Sequence, residues 1–346
     1  MRFNSNGITN ADDAMVPIDN PEYYGVYEEL ARIGKLTLRY RGSWYIDPEK
    51  DYKKQIKEGI ELSKQFKTPY WQVKSFKFFA DYVIEEGTGY LSEKYNNRED
   101  EWYGIKVWED EKLKDALLFI DKAGFQIHVH QLGDEAASYF LDVLEYVNKK
   151  NKHWDRRPSF AHVQLLKDLD KLRMAKLGVI AHTAPYWSVR DGYYEELNVP
   201  YLGKKRADNM YPVKSLIDAG VRITIHSDFS VSEPNLMEAF YKGVTRRLTR
   251  QEYLKMKDEV PERSALPPVN ERVSIRDMVT AATINGAYAN YLENDTGSLE
   301  LGKKADFVII NRDVFNIDEE LIPTPRIIST FFEGIEVYGN INSPSP

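Results

Sequence analysis

The 346-residue chain contains no cysteine, which excludes a disulfide framework and any thiolate metal site. It has no apolar run long enough to cross a bilayer, so no membrane partner is expected. There is no G-x-G-x-x-G turn and no P-loop, the usual cradles for nucleotide phosphates. It also lacks a basic stripe. Its 47 Lys and Arg are set against 54 Asp and Glu, a net charge of -7 spread without a long single-sign block. Nucleic acid, whose phosphates call for clustered positive charge, is excluded as a partner on that ground. The opening MRFNSNGITNADD has no apolar h-region of the kind that marks a secretory signal, so a cytoplasmic location is expected. Any metal must be held by histidine nitrogen and by oxygen.

What is present fits a globular protein with a large core: 42% hydrophobic and 29% charged residues. Short apolar runs at 35–40 (KLTLRY), 73–79 (VKSFKFF), 125–130 (FQIHVH), 159–162, 178–182 (GVIAH) and 221–226 (VRITIH) alternate with amphipathic stretches. Those stretches cover 28–33, 52–65, 109–122, 135–149, 168–176 and 213–219. Strand then helix, repeated, predicts βα units around a parallel sheet. Gly124, Gly178 and Gly220 each stand between a helical stretch and the next strand, where a left-handed helix stop suits glycine. His130, His162, His182 and Asp228 fall at or just beyond strand C-terminal ends, which form one rim in a (β/α)₈ TIM-type barrel. That barrel, spanning 1–296, is the expected fold. From Gly297 onward, GSLELGKKADFVIINRD and ISTFFEGIEVYGN read as short strands without barrel helices, a small β appendage over 297–346. The proline- and charge-rich stretch 258–270 reads as a surface loop or lid.

The segment IHVHQLGD carries the strongest local signal. His130 closes a strand, and Gly133-Asp134 turn the chain into a helix that Asp134 is expected to cap. His128, two residues deeper on the same face, reads as a core histidine. His162 closes the strand in SFAHVQLL, and Asp228 closes the last of the series in ITIHSDFS. Lys77 lies between Phe76 and Phe78, an expensive place for a charge unless it is paired or neutralised. Alternation places Lys77, Phe79 and Asp81 on one face. Two readings follow: a Lys77–Asp81 ion pair, or a lysine converted to a carbamate that offers an anionic oxygen.

Taken in order, the lysine strand, HVHQLGD, AHVQLL, HSDFS, AATINGA (281–287) and GSLELGKKADFVII resemble the amidohydrolase superfamily, and within it amidohydrolase family 3, which includes N-substituted formamide deformylase-like proteins. The resemblance implies a barrel with one or two divalent metals, Zn²⁺ being favoured and Mn or Fe compatible. It implies Lys77, His130, His162 and Asp228 as metal ligands, with Lys77 carboxylated. Asp228 would also be the catalytic group that takes a proton from the attacking water. The implied reaction is hydrolysis of a C–N bond in a small amide or formamide. His182, Tyr186, Trp187 and Phe229 are candidate substrate contacts, and His226 is a supporting or core residue.

The chain departs from the family pattern at one point. Its six histidines stand at 128, 130, 153, 162, 182 and 226, so the strand-1 HxH pair of the family is missing. The opening NSNGITNADDA resembles the family's second strand. A barrel incomplete at the N-terminus is therefore expected, and a second metal is in doubt. Its bare edges invite self-association or a complementing N-terminal fragment. A degenerate or split scaffold without independent activity is the alternative to a working enzyme.

Overall fold

The computed structural model describes residues 2–260 and 262–339. Seven strands form one parallel sheet in the order of the sequence: β1 (Asn10–Val16), β2 (Arg39–Tyr45), β3 (Trp71–Phe79), β4 (Gln126–Gln131), β5 (Ser159–His162), β6 (Ile180–Thr183) and β7 (Ile223–Ile225). The helices between and after them are α1 (Pro21–Arg32), α2 (Tyr52–Gln65), α3 (Asp110–Lys122), α4 (Asp134–Lys150), α5 (Asp168–Leu177), α6 (Val199–Leu202), α7 (Lys204–Ala207), α8 (Val213–Asp218), α9 (Leu236–Thr245), α10 (Arg250–Met256), α11 (Ile275–Ala282) and α12 (Ile284–Ala289). Gly178 closes α5 in the left-handed region at φ 68°, and Gly124 and Gly220 take the same conformation before β4 and β7. None of the helices is long and apolar enough to cross a membrane.

The sheet curls. Its two margins are β1 and β7, yet residues beside them meet: the Phe3 and Phe229 rings lie 5.4 Å apart, and Arg2 pairs with Glu233. The Asn290 amide also donates to the Asn10 side chain. Among the described residues β1 and β7 do not pair, so the sheet is an open half-barrel, consistent with an incomplete TIM-type barrel. Alternation sorts β3 into two faces. Phe76 and Phe78 are fully buried against the helices together with Val129, Phe140 and Phe160, while Ser75, Lys77 and Phe79 take the concave face.

β8 (Phe307–Ile310), β9 (Ile327–Phe332) and β10 (Ile335–Gly339) make the small antiparallel sheet. Arg39 fastens it: its guanidinium, 2% exposed, pairs with Asp306 and donates to Glu333 at 2.6 Å. Thr330 adds a hydrogen bond to the Asn4 carbonyl at 2.7 Å. The first of the short strands expected within GSLELGKKADFVIINRD does not form, and the last residues of the appendage, 340–346, lie outside the described residues. The loop expected over 258–270, of which Pro261 lies outside the described residues, is anchored at Leu266 and Pro267. Leu266 is fully buried, and Arg246 donates to the Leu266 and Pro267 carbonyls.

Candidate metal centre

The concave face carries polar side chains in adjacent registers. Lys77 pairs with His128 across β3 and β4, and Phe79 with His130. On β5, alternation would send His162 outward with Phe160. Instead His162 has φ 76° and Val163 φ 51°, a left-handed stretch that a β-branched residue adopts only under constraint. The bend coincides with the His162 ring lying 4.6 Å from His130 and 4.9 Å from His226. Asp228 also sits at positive φ, 50°, three residues beyond β7.

Lys77 is 4% exposed and has no ion pair among the described residues. Burial pushes its pKa down to about 8, and the negative charges of Asp12 and Asp228 oppose that fall. The expected alternative pairing with Asp81 is not made. Asp81 is fully buried and accepts backbone N–H bonds from Tyr90, Leu132 and Gly133 at 2.9, 3.1 and 2.7 Å. It therefore ties the end of β3 to the turn after β4. Asp134 likewise does not cap its helix. Gly133 is the N-cap, and the Asp134 carboxylate accepts from the Ser92 backbone N–H at 3.0 Å and from its hydroxyl.

Burial, reinforced by the Lys77 charge, drives the His130 pKa down to about 3 and holds His162 well below the ordinary histidine value. Both rings are therefore neutral at physiological pH, the form that can ligate a metal. His130 Nε2 lies 3.4 Å from the Tyr82 carbonyl, and its ring stacks on Phe79 at 4.3 Å. His162 Nδ1 and His226 Nε2 are buried without a hydrogen-bond partner. Unpaired buried nitrogens are costly, and a bound cation is one means of satisfying them. Asp228 stands at the mouth with its surface open. Enough protein crowds its carboxyl to raise the pKa, against the pull of Lys77.

The four candidate substrate contacts separate. Trp187 stacks on His162 at 5.5 Å, and its indole N–H donates to Ser232 at 3.0 Å. Phe229 is exposed at the mouth, with Arg2 over its ring. Tyr186 is buried, and no ring contact with the histidines is present among the described residues. His182 turns inward, hydrogen-bonded through Nδ1 to the Thr224 hydroxyl, with its ring 5.1 Å from His128. Together with Asp12 these two histidines form a cluster whose donor atoms all lie within 4.8 Å of one another, close enough for one ion. The sequence reading missed Asp12 altogether and took His128 for a core histidine. The available signal was the shared inward register of His128 and Lys77.

Similarity to known proteins bears on this arrangement. The amidohydrolase family profile matches residues 1–338. Protein LONG AFTER FAR-RED 3 of Arabidopsis thaliana is 27% identical over 76% of this chain and 42% of its own length. N-substituted formamide deformylase of Arthrobacter pascens is 24% identical over 69% of this chain and 41% of its own. The chain thus spans less than half the length of these relatives. Among solved structures, a metal-dependent hydrolase from Pyrococcus furiosus superposes with a TM-score of 0.68 at 20% identity, covering 89% of this chain and 56% of that one. The atrazine chlorohydrolase TrzN from Arthrobacter aurescens, complexed with zinc, gives 0.60 at 12% identity over 98% and 71%. At such identities the superpositions speak for the half-barrel alone, whereas the profile match spans nearly every residue: the chain belongs to the amidohydrolase family.

Proposed function

We propose that this chain is a metal-dependent hydrolase of C–N bonds in small amides or formamides. Lys77, as a carbamate, would hold a divalent ion with His130, His162 and Asp228. Such an ion supplies Lewis acidity, bringing the pKa of a water down to about 7 and polarising a carbonyl. Carbamate formation joins the neutral Lys77 amine to CO₂ and releases one proton; a pKa depressed to about 8 keeps that amine available. Asp228, open at the mouth, would take the proton of the attacking water and return it to the leaving nitrogen. The neutral imidazoles of His130 and His162 bring no positive charge to oppose the ion. Trp187 and Phe229 offer apolar faces to the substrate. The observation that carries this reading is the unpartnered, buried Nδ1 of His162 beside His130 and Lys77.

The test is release of amine and carboxylate from a panel of N-substituted formamides and cyclic amides by protein loaded with Zn²⁺, Mn²⁺ or Fe²⁺. The expected outcome is metal-dependent turnover that falls at least about 100-fold in Asp228→Asn. A ¹³C resonance in the carbamate region should appear after incubation with ¹³C-bicarbonate and vanish in Lys77→Met. Lack of turnover with every metal, together with lack of that resonance, would sink the reading. A scaffold that binds without turnover, alone or completed by another chain, is the second reading. The open seam favours it, since β1 and β7 do not pair among the described residues.

A further inference from the structure

We propose that Asp12, His128 and His182 form a binding site for one first-row transition-metal dication, with a donor set separate from Lys77, His130, His162 and Asp228. The three residues come from β1, β4 and β6, strands that are not neighbours in the sheet, and they meet because the sheet curls. Asp12 Oδ2 lies 3.3 Å from His128 Nδ1. Ligands of a tetrahedral zinc, each about 2.0–2.2 Å from the metal, stand a little over 3 Å apart. The present separations, all within 4.8 Å, therefore require a contraction of at most about one and a half ångströms.

Three further observations favour a ligand at this place. His128 is 3% exposed, a buried imidazole whose Nδ1 already faces the Asp12 carboxylate. The Thr224 hydroxyl holds His182 at Nδ1, which fixes the ring and leaves Nε2 as the free donor. An outer hydroxyl or carboxylate orienting the far nitrogen of a metal-binding histidine is a recurrent arrangement. The Ser43 hydroxyl stands 3.2 Å from His128 Nδ1 and bonds Ser75 in turn, so this side of the cluster is polar and ordered.

The donor set selects the ion. Two imidazoles and one carboxylate suit Zn²⁺, Co²⁺, Ni²⁺ or Fe²⁺, whereas Mg²⁺ and Ca²⁺ want a cage of oxygens. Asp13, next in the chain, does not compete for the cation. It faces the other side of β1, where it accepts hydrogen bonds from Tyr23 and Tyr27. A quarter of the Asp12 side chain, 25%, remains open to solvent, which gives an ion a way in.

Cobalt is the probe. Chelator-stripped protein is titrated with Co²⁺, followed by its visible absorption bands and by elemental analysis after desalting. Asp12→Asn and His182→Asn are expected to weaken one cobalt at least about 10-fold, while His162→Asn leaves that ion and its spectrum in place. The proposal is overturned if the unaltered 346-residue chain takes up no cobalt. It is equally overturned if Asp12→Asn and His182→Asn bind as many ions as tightly as before, or if His162→Asn alone abolishes all binding. Circular dichroism of the stripped variants checks the fold, and should Asp12→Asn not fold, His182→Asn decides by the same readings. Thr224→Val, which only frees the His182 ring, is expected to weaken the same cobalt by a smaller factor. Amide turnover does not enter these readings, so the hydrolase reading and this one can fail separately.

Discussion

Lys77 is a buried amine on the concave face, and its burial sets how readily it holds a proton. In the unfolded chain it titrates at 10.5, and in the folded chain burial brings it to about 8. The folded state therefore binds the proton more weakly. Below pH 8 the buried ammonium costs stability in full, by about 3 kcal/mol from the size of the shift. The cost fades as pH rises from 8 and is gone above 10.5. Lys77→Met, compared with the unaltered chain in chelator and CO₂-free buffer, should be the more stable protein at pH 7 and lose that advantage by pH 10.5. Parallel denaturation profiles across that range would refute it. Lys77, His130 and His162 stand out in the sequence as polar residues interrupting apolar strands, and the fold brings the two histidine rings together. Asp12 does not stand out. It lies in NADDAM, a strand with a weak apolar pattern, and its partners are more than a hundred residues away.

At the scale of elements, periodicity located some segments closely and others loosely; α1 starts seven residues before the expected 28–33 stretch. α2 and β5 have the expected bounds, because an apolar stripe and a clean strand end mark them. β2 starts four residues later than the KLTLRY run suggested. Its sequence RYRGSWY places Arg39, Arg41 and Ser43 on one face, so the apolar pattern points to the residues before the strand. The turn after β4 leaves no room for a side chain at Gly133. A Cβ on Gly133 would stand 2.0 Å from the Tyr90 carbonyl oxygen, in the loop that Asp81 clamps. Gly133→Ala should lower stability by about 3 kcal/mol. Gly25, within α1 and with nothing within 4 Å of its added Cβ, should gain about 0.5–1 kcal/mol on replacement by alanine. Urea midpoints of the two variants measure both, and equal effects would refute the distinction.

At the scale of the molecule, the small antiparallel sheet depends on Arg39. Its partner Asp306 is 3% exposed, so Arg39→Met leaves a buried carboxylate without its counter-charge. The expected loss is about 3–5 kcal/mol, read as a lowered melting temperature and faster proteolysis within 297–339; an unchanged cleavage pattern would count against the fastening role. Alternating elements and glycine stops made the parallel sheet legible. The open seam was anticipated only through the family resemblance, since closure is set by strand tilt and long-range approach, which local sequence does not encode. The bare margins of β1 and β7 remain our proposed basis for self-association, although the Asn285 amide already occupies the Ile223 carbonyl at 3.0 Å.

The position of Asp12 has one more consequence. β1 is held by a ladder on one flank only, whereas the strands bearing His128 and His182 are laced on both. An ion gripped by all three would act as a rivet, joining one margin of the sheet to its middle. The gap in the barrel wall would then narrow or widen with metal supply.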